Sequence, residues 1–232
     1  DASVRVFSPE GEYVRTIGRR GQGPGETQYP VFVQVTEQGE LAVFDFAVAR
    51  MSFFSLDGTY LRQMTTPRPM MPIGMDSLGG LLAQYVPAPP PLDGKSILKL
   101  DKDFRSEREF VRAERGEDRT FEIGRPTVFG ALAPGDRVIW GDSRQYVLNV
   151  TNPDGGLAMR ILKEDQTRPI TGEDERDYRQ KYAEPLRAGM KISFRANWPA
   201  FSGLFVDDEG RIFVRTYERA GDGAHPFYYD VF

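Results

Sequence analysis

Apolar and polar residues alternate along most of the chain, in short runs that are separated by turn residues. In the first such segment, VRVFSPEGEYVRTI, Val4 and Val6 fall on one side of a predicted strand pair, and Arg5 and Arg15 fall on the other. A period of two is typical of β-strands that bury one face. Because glycines interrupt the runs, the pattern predicts a succession of antiparallel hairpins.

Two kinds of hairpin alternate along the chain. The first kind has a glycine at the same place in its turn, at Gly39, Gly79, Gly135 and Gly210. Tight connections between antiparallel strands need φ > 0 at such a position, which glycine adopts without strain. The turns of the second kind read SPEG, SLDG, DKDF and NPDG, so Phe104 stands where the other three have glycine. One hairpin of each kind makes a four-stranded meander.

The spacing of these meanders predicts a β-propeller. Gly39 and Gly79 are 40 residues apart, Gly79 and Gly135 are 56 apart, and Gly135 and Gly210 are 75 apart because an extra segment intervenes. The shorter spacings bracket a propeller blade of about 40–50 residues, and four-stranded sheets of this size pack radially around a channel. A β-sandwich is the competing fold, but it does not predict equivalent glycines in equivalent hairpins. We therefore predict an all-β propeller that forms a single domain over residues 1–232.

The hairpins give the boundaries of the predicted parts. These are a half blade over 1–18, blades over 31–64, 70–112 and 126–163, a helical insertion over 164–199 and a partial blade over 200–232. In the insertion, Thr171 and Asp174 have the spacing of a capping box, and Tyr178 and Tyr182 lie on one helix face. We expect Pro185 to limit this helix near its end.

The N-terminal part of the chain carries a family resemblance. The segment VRVFSPEGEYVRTIGRRGQGPGE, a following Tyr-Pro pair and a strand that ends in VFD resemble the NHL-type six-bladed β-propellers, and more narrowly the bacterial 6-bladed β-propeller proteins. The GxGPGE element at Gly21–Glu26 is the most specific piece. The resemblance implies a six-bladed ring that is incomplete in this chain, with about four to five blades present, and a periplasmic or extracellular location.

The glycines of this element do not form a phosphate-binding loop. They match neither GxxxxGK[ST] nor GxGxxG, and they precede a predicted strand rather than a helix. We expect a structural turn instead. Asp45 closes the following hairpin, where its carboxylate is expected to accept hydrogen bonds from loop amides. Asp142 occupies the comparable position in a later blade.

The amino-acid composition limits which partners and metal sites the chain can have. Thirty basic and 34 acidic residues give a net charge of −4, whereas a generic nucleic-acid binder needs a basic surface, so no nucleic-acid partner is expected. The chain has no cysteine and a single histidine, His225, which excludes thiolate and three-histidine zinc sites within it. No run approaches the roughly 20 apolar residues of a membrane helix.

The long connections indicate where a ligand binds. Turns within the hairpins are short, whereas the connections at 18–30, 87–95, 112–125, 163–199 and 218–226 are long and lie on the opposite rim of the meanders. Rigid scaffolds usually carry function on such loops. We expect a non-catalytic binding or scaffold module, without a cofactor, that engages a protein, peptide or glycan through this rim. The candidate contacts flank the long connections: Arg20, Arg50, Arg68, Tyr85, Arg125, Arg144, Arg195 and Trp198.

An enzyme is the alternative interpretation. The chain is similar in predicted architecture to propeller hydrolases and lyases of the gluconolactonase and strictosidine-synthase kind, which hold a divalent metal on the central axis. That resemblance implies Ca²⁺ as the cofactor, with two or three carboxylate or Asn side chains within about 2.6 Å of the ion. The sequence itself indicates no nucleophile–base pair and no set of metal ligands, so no catalytic or metal-binding residue is predicted.

Overall fold

The structure is a computed structural model that describes residues 2–68, 70–85, 87, 94–105, 107–113, 120–164, 168–187, 189, 191–217 and 228–232. His225 and most of the proline-rich stretch 87–91 lie outside the described residues. Within the described part, the chain is all-β apart from two short helices and one 3₁₀ turn. It divides into two compact units, residues 1–85 with 98–109 and residues 86–97 with 110–232. The prediction of one domain over 1–232 stays a prediction.

The first half of the chain forms antiparallel meanders at the predicted places. Its elements are β1 (Val4–Phe7), β2 (Tyr13–Ile17), β3 (Arg19–Arg20), β4 (Glu26–Thr27), β5 (Pro30–Val35), β6 (Glu40–Asp45), a 3₁₀ turn (Phe46–Val48), β7 (Arg50–Ser55), β8 (Tyr60–Thr65), β9 (Met70–Met75), β10 (Leu81–Tyr85), β11 (Ser96–Leu100) and β12 (Glu107–Arg112). Strands β5–β8 and β9–β12 form two four-stranded sheets in sequence order, β1 pairs with β2, and the short β3 pairs in parallel with β4.

The two central strands of the sheet β5–β8, β6 and β7, are buried on both faces. On β6, Leu41 and Val43 pack with residues of the β1–β2 hairpin, whereas Ala42 and Phe44 pack with residues of β10 and β11. Since side chains alternate across a strand, consecutive sheets must stack face to face. The innermost strands β5 and β9 also lie side by side. This stacking is that of propeller blades and not of a two-layer sandwich.

The predicted turn geometry is present, with one informative exception. The four equivalent glycines of the first kind of hairpin have φ between 73° and 86°, as expected. In the second kind, Phe104 occupies the glycine position with φ of 58°, a left-handed conformation that is strained for a bulky residue. Its side chain is buried in the core that β6, β7, β10 and β11 share. Burial of the ring offsets the backbone strain.

The GPGE element is a structural turn, as predicted. Arg50 donates from Nη1 to the carbonyl oxygen of Gln22 (3.1 Å) and from Nη2 to that of Glu26 (2.5 Å). The Glu26 carboxylate accepts from the Gly23 amide (2.9 Å). Asp45 accepts from the amides of residues 28, 29 and 47, which confirms its expected role. Asp142 makes the corresponding local bond, from the amide of residue 144.

The second unit contains one further four-stranded sheet and a three-stranded one. The remaining elements are β13 (Phe121–Ile123), β14 (Val128–Ala133), β15 (Arg137–Asp142), β16 (Val147–Thr151), β17 (Leu157–Leu162), α1 (Gly172–Lys181), α2 (Ala183–Arg187), β18 (Ile192–Phe194), β19 (Gly203–Val206), β20 (Ile212–Arg215) and β21 (Tyr229–Val231). Sheet β14–β17 and sheet β19–β21 share a core around Phe201, Leu148 and Val214, and β14 lies beside β19. Neither helix is long and apolar enough to cross a bilayer in the part of the chain that is described.

Candidate functional site

The insertion between β17 and β19 has an ordered polar anchor at its helix N-terminus. Thr171 accepts from the Asp174 amide, and Asp174 accepts from the Thr171 amide and hydroxyl, which confirms the predicted capping box. Both carboxylate oxygens of Asp174 also accept from Nη2 of Arg168 at 2.8 Å. Burial disfavours the charged carboxylate, but the bonds from Thr171 and Arg168 outweigh it, and the pKa of Asp174 lies below its ordinary value.

The helix does not end where the sequence predicted. Helix α1 ends at Lys181, and Pro185 lies inside the first turn of a second helix, α2. A proline is tolerated there because the amides of the first helical turn have no acceptor within the helix. The expectation that Pro185 limits the first helix is therefore wrong.

An aromatic stack joins the insertion to the last sheet of the second unit. Trp198 is 5% exposed, and its indole stacks on Tyr217 with ring centroids 4.6 Å apart. Tyr178 of α1 contacts the same indole, with centroids 5.6 Å apart. The loss of solvent, reinforced by Tyr178, raises the pKa of Tyr217 to about 12. The stack fixes the position of the segment that precedes β19.

A short parallel strand pair brings two long connections together. Strand β13 precedes β14, and β18 follows the helices, yet Glu122 lies opposite Ser193 in a parallel ladder. The Arg195 amide continues the ladder by donating to the Ile123 carbonyl oxygen (3.0 Å). This pairing places the Glu122 and Arg195 side chains next to each other, with Nε of Arg195 3.1 Å from Oε2 of Glu122.

These elements border a cleft of about 430 Å³ in the second unit. Its walls come from the connections that precede β14, follow β15 and precede β19. The lining residues are Gly124, Pro126, Ser143, Arg144, Arg195, Ala196, Asn197, Trp198, Pro199 and Ala200. Three of the predicted contact residues thus line one cleft, and Arg125 lies between two of its lining residues in sequence.

Carboxylates hold the guanidinium groups around the cleft. Arg125 and Arg195 both pair with Oε2 of Glu122, at 3.3 and 3.1 Å. Arg144 pairs with Asp142, with Nη2 2.7 Å from Oδ2. Both arginines that line the cleft, Arg144 and Arg195, are therefore positioned by a carboxylate.

The other four predicted contacts belong to the first unit and do not form one site. The Arg68 guanidinium lies 4.4 Å from the centre of the Tyr85 ring and pairs with Glu107, so these two predicted residues do meet. Arg50 is buried and bonds to the carbonyl oxygens of the GPGE turn. Arg20 is exposed on β3.

Sequence reasoning missed the carboxylates that organise the cleft. Glu122 is one of several acidic residues in a long connection, and its role depends on the parallel pairing of β13 with β18. Arg168 donates to Asp174 only in the folded insertion, so the sequence alone does not indicate this pair. The capping box was the one local signal that could have directed attention to Asp174. Among the described residues, no group of three or more His, Cys, Asp or Glu side chains is arranged to hold a metal ion.

The stacked four-stranded meanders define the class of this protein as a β-propeller. A sequence profile of the DUF5128 family, described as a 6-bladed beta-propeller, matches residues 1–126, more than half of the 232 residues. The chain belongs to this family. No curated protein matches the sequence.

Solved structures with a similar fold are remote in sequence. A member of the duf4221 family from Bacteroides vulgatus superposes with a TM-score of 0.52 at 10% identity, over 97% of this chain and 68% of that one. Virginiamycin B lyase from Staphylococcus aureus gives a TM-score of 0.47 at 10% identity, over 92% of this chain and 56% of the lyase. A Bacteroides caccae protein of unknown function gives 0.43 at 13% identity, over 92% and 61%. This chain therefore spans just over half the length of the lyase.

Proposed function

We propose that this propeller is a non-catalytic binding module, and that the cleft of the second unit takes a carboxylate-bearing group of a protein, peptide or glycan ligand. The observation that carries the proposal is the convergence of Arg144, Arg195 and Trp198 on one cleft. Its volume of about 430 Å³ is within the range of about 300–1,000 Å³ that is usual for ligand pockets.

The charges around the cleft favour an anionic ligand. Arg195 pairs with Glu122 through Nε, and a guanidinium has five N–H donors, so donors of Arg195 remain for a ligand. A ligand carboxylate would accept from those donors in a charge-assisted hydrogen bond, the stronger kind of polar contact.

Trp198 adds a second expectation about the chemistry of the ligand. Its indole N–H is buried and has no hydrogen-bond partner among the described residues. A buried donor without a partner costs about 1–3 kcal/mol. Because this N–H is enclosed, Trp198 offers the cleft its ring rather than a donor, and we expect the ligand to carry an apolar group beside its charged group.

The test uses two labelled acidic probes, hexaglutamate and hexagalacturonate, with hexaglutamine and methyl-esterified hexagalacturonate as their neutral counterparts. At least one acidic probe should bind, and its neutral counterpart should not. The double variant Arg144→Gln/Arg195→Gln should weaken binding by about tenfold. Trp198→Phe keeps an aromatic ring in the stack and removes only the enclosed N–H, so it should largely retain both stability and affinity.

A matched control removes two positive charges elsewhere in the same unit, by Lys181→Gln/Arg187→Gln in the helices. This variant should bind as the parent does. Equal affinities for both double variants would place the ligand outside the cleft, and the absence of binding to either acidic probe would reject the proposed ligand chemistry. Mass spectrometry of the recovered probes should show them intact, and cleavage would favour the enzyme alternative. The NHL-type assignment and an exported location stay predictions.

A further inference from the structure

A second groove lies in the first unit, between the sheets β5–β8 and β9–β12, at the end where the hairpin turns are short. Its volume is about 560 Å³. It is lined by Thr36, Gln38, Glu40, Phe53, Arg62, Met64, Met75, Leu78, Gly79, Lys102, Asp103 and Arg105. The groove shares no lining residue with the cleft of the second unit, so it is a separate site.

The floor of the groove is apolar and held in place. Phe53 and Met75 are buried, and Met64 is half-buried beside them. Gln34 bridges the two sheets at this point, since its side chain accepts from the Met75 amide (2.8 Å) and donates to the Met75 carbonyl oxygen (3.0 Å). Methionine side chains adapt to varied apolar partners and are frequent at promiscuous binding surfaces.

One turn projects a large apolar side chain over this floor. Leu78 is 77% exposed, whereas the position before the turn glycine holds Gln38, Pro134 and Glu209 in the other three hairpins. Its backbone is fixed because Oδ1 of Asp76 accepts from the Leu78 amide (3.0 Å) and Oδ2 pairs with Lys99 (2.6 Å). Leu78 is therefore exposed on a turn whose backbone is held in place by Asp76.

The rim of the groove carries charges of both signs, with cations in excess. Arg62 lies over the Phe53 ring, 4.0 Å from its centre, and pairs with Glu40 at 2.6 Å. Lys102 and Arg105, on the neighbouring turn, are exposed, and neither forms an ion pair among the described residues. Asp103 of the same turn also lines the groove, so an anionic group at this end would meet two cations and one carboxylate.

We infer that this groove binds an acidic peptide segment in which carboxylate and apolar side chains are close together. The carboxylates contact Lys102 and Arg105, and an apolar side chain packs on Leu78 and Met64. A free fatty acid fits less well, since polar side chains such as Thr36 and Gln38 line the groove among the apolar ones. A glycan fits less well because sugars stack on exposed aromatic faces, and Arg62 covers the face of Phe53.

The test measures fluorescence anisotropy with a fluorescein-labelled Glu-Leu-Glu-Leu-Glu peptide and the full chain. Lys102→Gln/Arg105→Gln should weaken binding by about tenfold, and Leu78→Ser should weaken it independently of salt. The corresponding Gln-Leu peptide should bind weakly to every variant. Lys181→Gln/Arg187→Gln, in the helices of the other unit, removes the same charge and should leave the affinity unchanged.

Each result supports or overturns the inference. Parent-like affinity in both groove variants would overturn it, as would equal competition by decanoate, which would identify a small amphipathic anion, or by hexagalacturonate, which would identify a glycan. Loss of peptide binding only in the Arg144→Gln/Arg195→Gln variant would assign the peptide to the cleft of the second unit. Because Leu78, Lys102 and Arg105 are exposed, these variants should keep the parental unfolding temperature, which is checked first.

Discussion

Trp198 and Tyr217 stack with their rings 4.6 Å apart and inclined by 20°. Trp198 belongs to the insertion, and Tyr217 lies two residues after the end of β20, the central strand of the sheet β19–β21. The Arg168 guanidinium lies against the indole, 5.9 Å from its centre, and donates to the Tyr217 carbonyl oxygen (2.8 Å). The pair therefore couples the insertion to the sheet on which the candidate cleft is built.

Removal of this indole should destabilise the second unit strongly. Truncation of a buried aromatic residue costs about 3–5 kcal/mol, so Trp198→Ala should lower the free energy of unfolding by that amount. Trp198→Phe should cost much less, because it keeps a stacked ring and removes a buried donor that lacks a partner. Urea denaturation of both variants measures the difference. Equal costs would show that the stack contributes little.

Because Tyr217 is partly buried, the free energy of unfolding should decrease as the pH rises through the alkaline range. Its pKa is raised from 10.0 to about 12 because burial disfavours the phenolate, so its contribution is complete below pH 10. As pH rises from 10 to 12, the unfolded chain loses the proton first and stability falls. Tyr217→Phe should flatten this part of the profile. Tyr29→Phe, at an exposed tyrosine, should keep the parental slope in chemical denaturation at each pH.

The repeated hairpins and the insertion differ in how far the sequence predicts them. Strand pairs depend on a period of two and on turn glycines such as Gly39, which are local signals, and the antiparallel sheets are present. The parallel pairing of Glu122 with Ser193 joins segments about 70 residues apart, and no local pattern encodes it. Arg144, Arg195 and Trp198 were predicted as contacts because they flank long connections. Only the folded structure shows that they line one cleft.

The capping box should contribute measurably to stability. Thr171→Ala removes the side-chain acceptor of the Asp174 amide and should cost about 1 kcal/mol. Asp174→Asn also breaks the pair with Arg168 and should cost more, about 2 kcal/mol. Circular dichroism during thermal unfolding measures both. Thr65→Ala, at an exposed threonine outside the helix, serves as the control for loss of a threonine side chain.

The Asp174 pair should also be sensitive to acid. Because the pKa of Asp174 is lowered from 3.8 in the folded state, the stabilisation is present above about pH 4 and is lost as pH falls through the lowered value. The difference in stability between the parent and Asp174→Asn should therefore be largest near neutral pH and shrink in acid. A difference that is constant from neutral pH into acid would contradict this account.

Arg50 should be essential for the conformation of the GPGE turn. Arg50→Gln loses two bonds from a charged donor to the carbonyl oxygens of Gln22 and Glu26 and should cost about 2 kcal/mol. Amide hydrogen exchange at Gly21, which donates to Thr27, should become faster. Arg19→Gln is the matched control, since the Arg19 side chain is 83% exposed and an exposed ion pair contributes at most about 1 kcal/mol.

At Phe104, a glycine substitution should destabilise the protein less than an alanine substitution does, which is the reverse of the usual order. Phe104→Ala removes a buried ring and should cost about 3–5 kcal/mol, but it keeps a Cβ at φ of 58°. Phe104→Gly loses the same ring and relieves a left-handed conformation that costs about 1–2 kcal/mol, so the glycine variant should be the more stable of the two. At Phe53, which is equally buried on the extended strand β7, the alanine variant should be the more stable, because glycine weakens strands. The same order at both positions would show that the backbone at Phe104 is not strained.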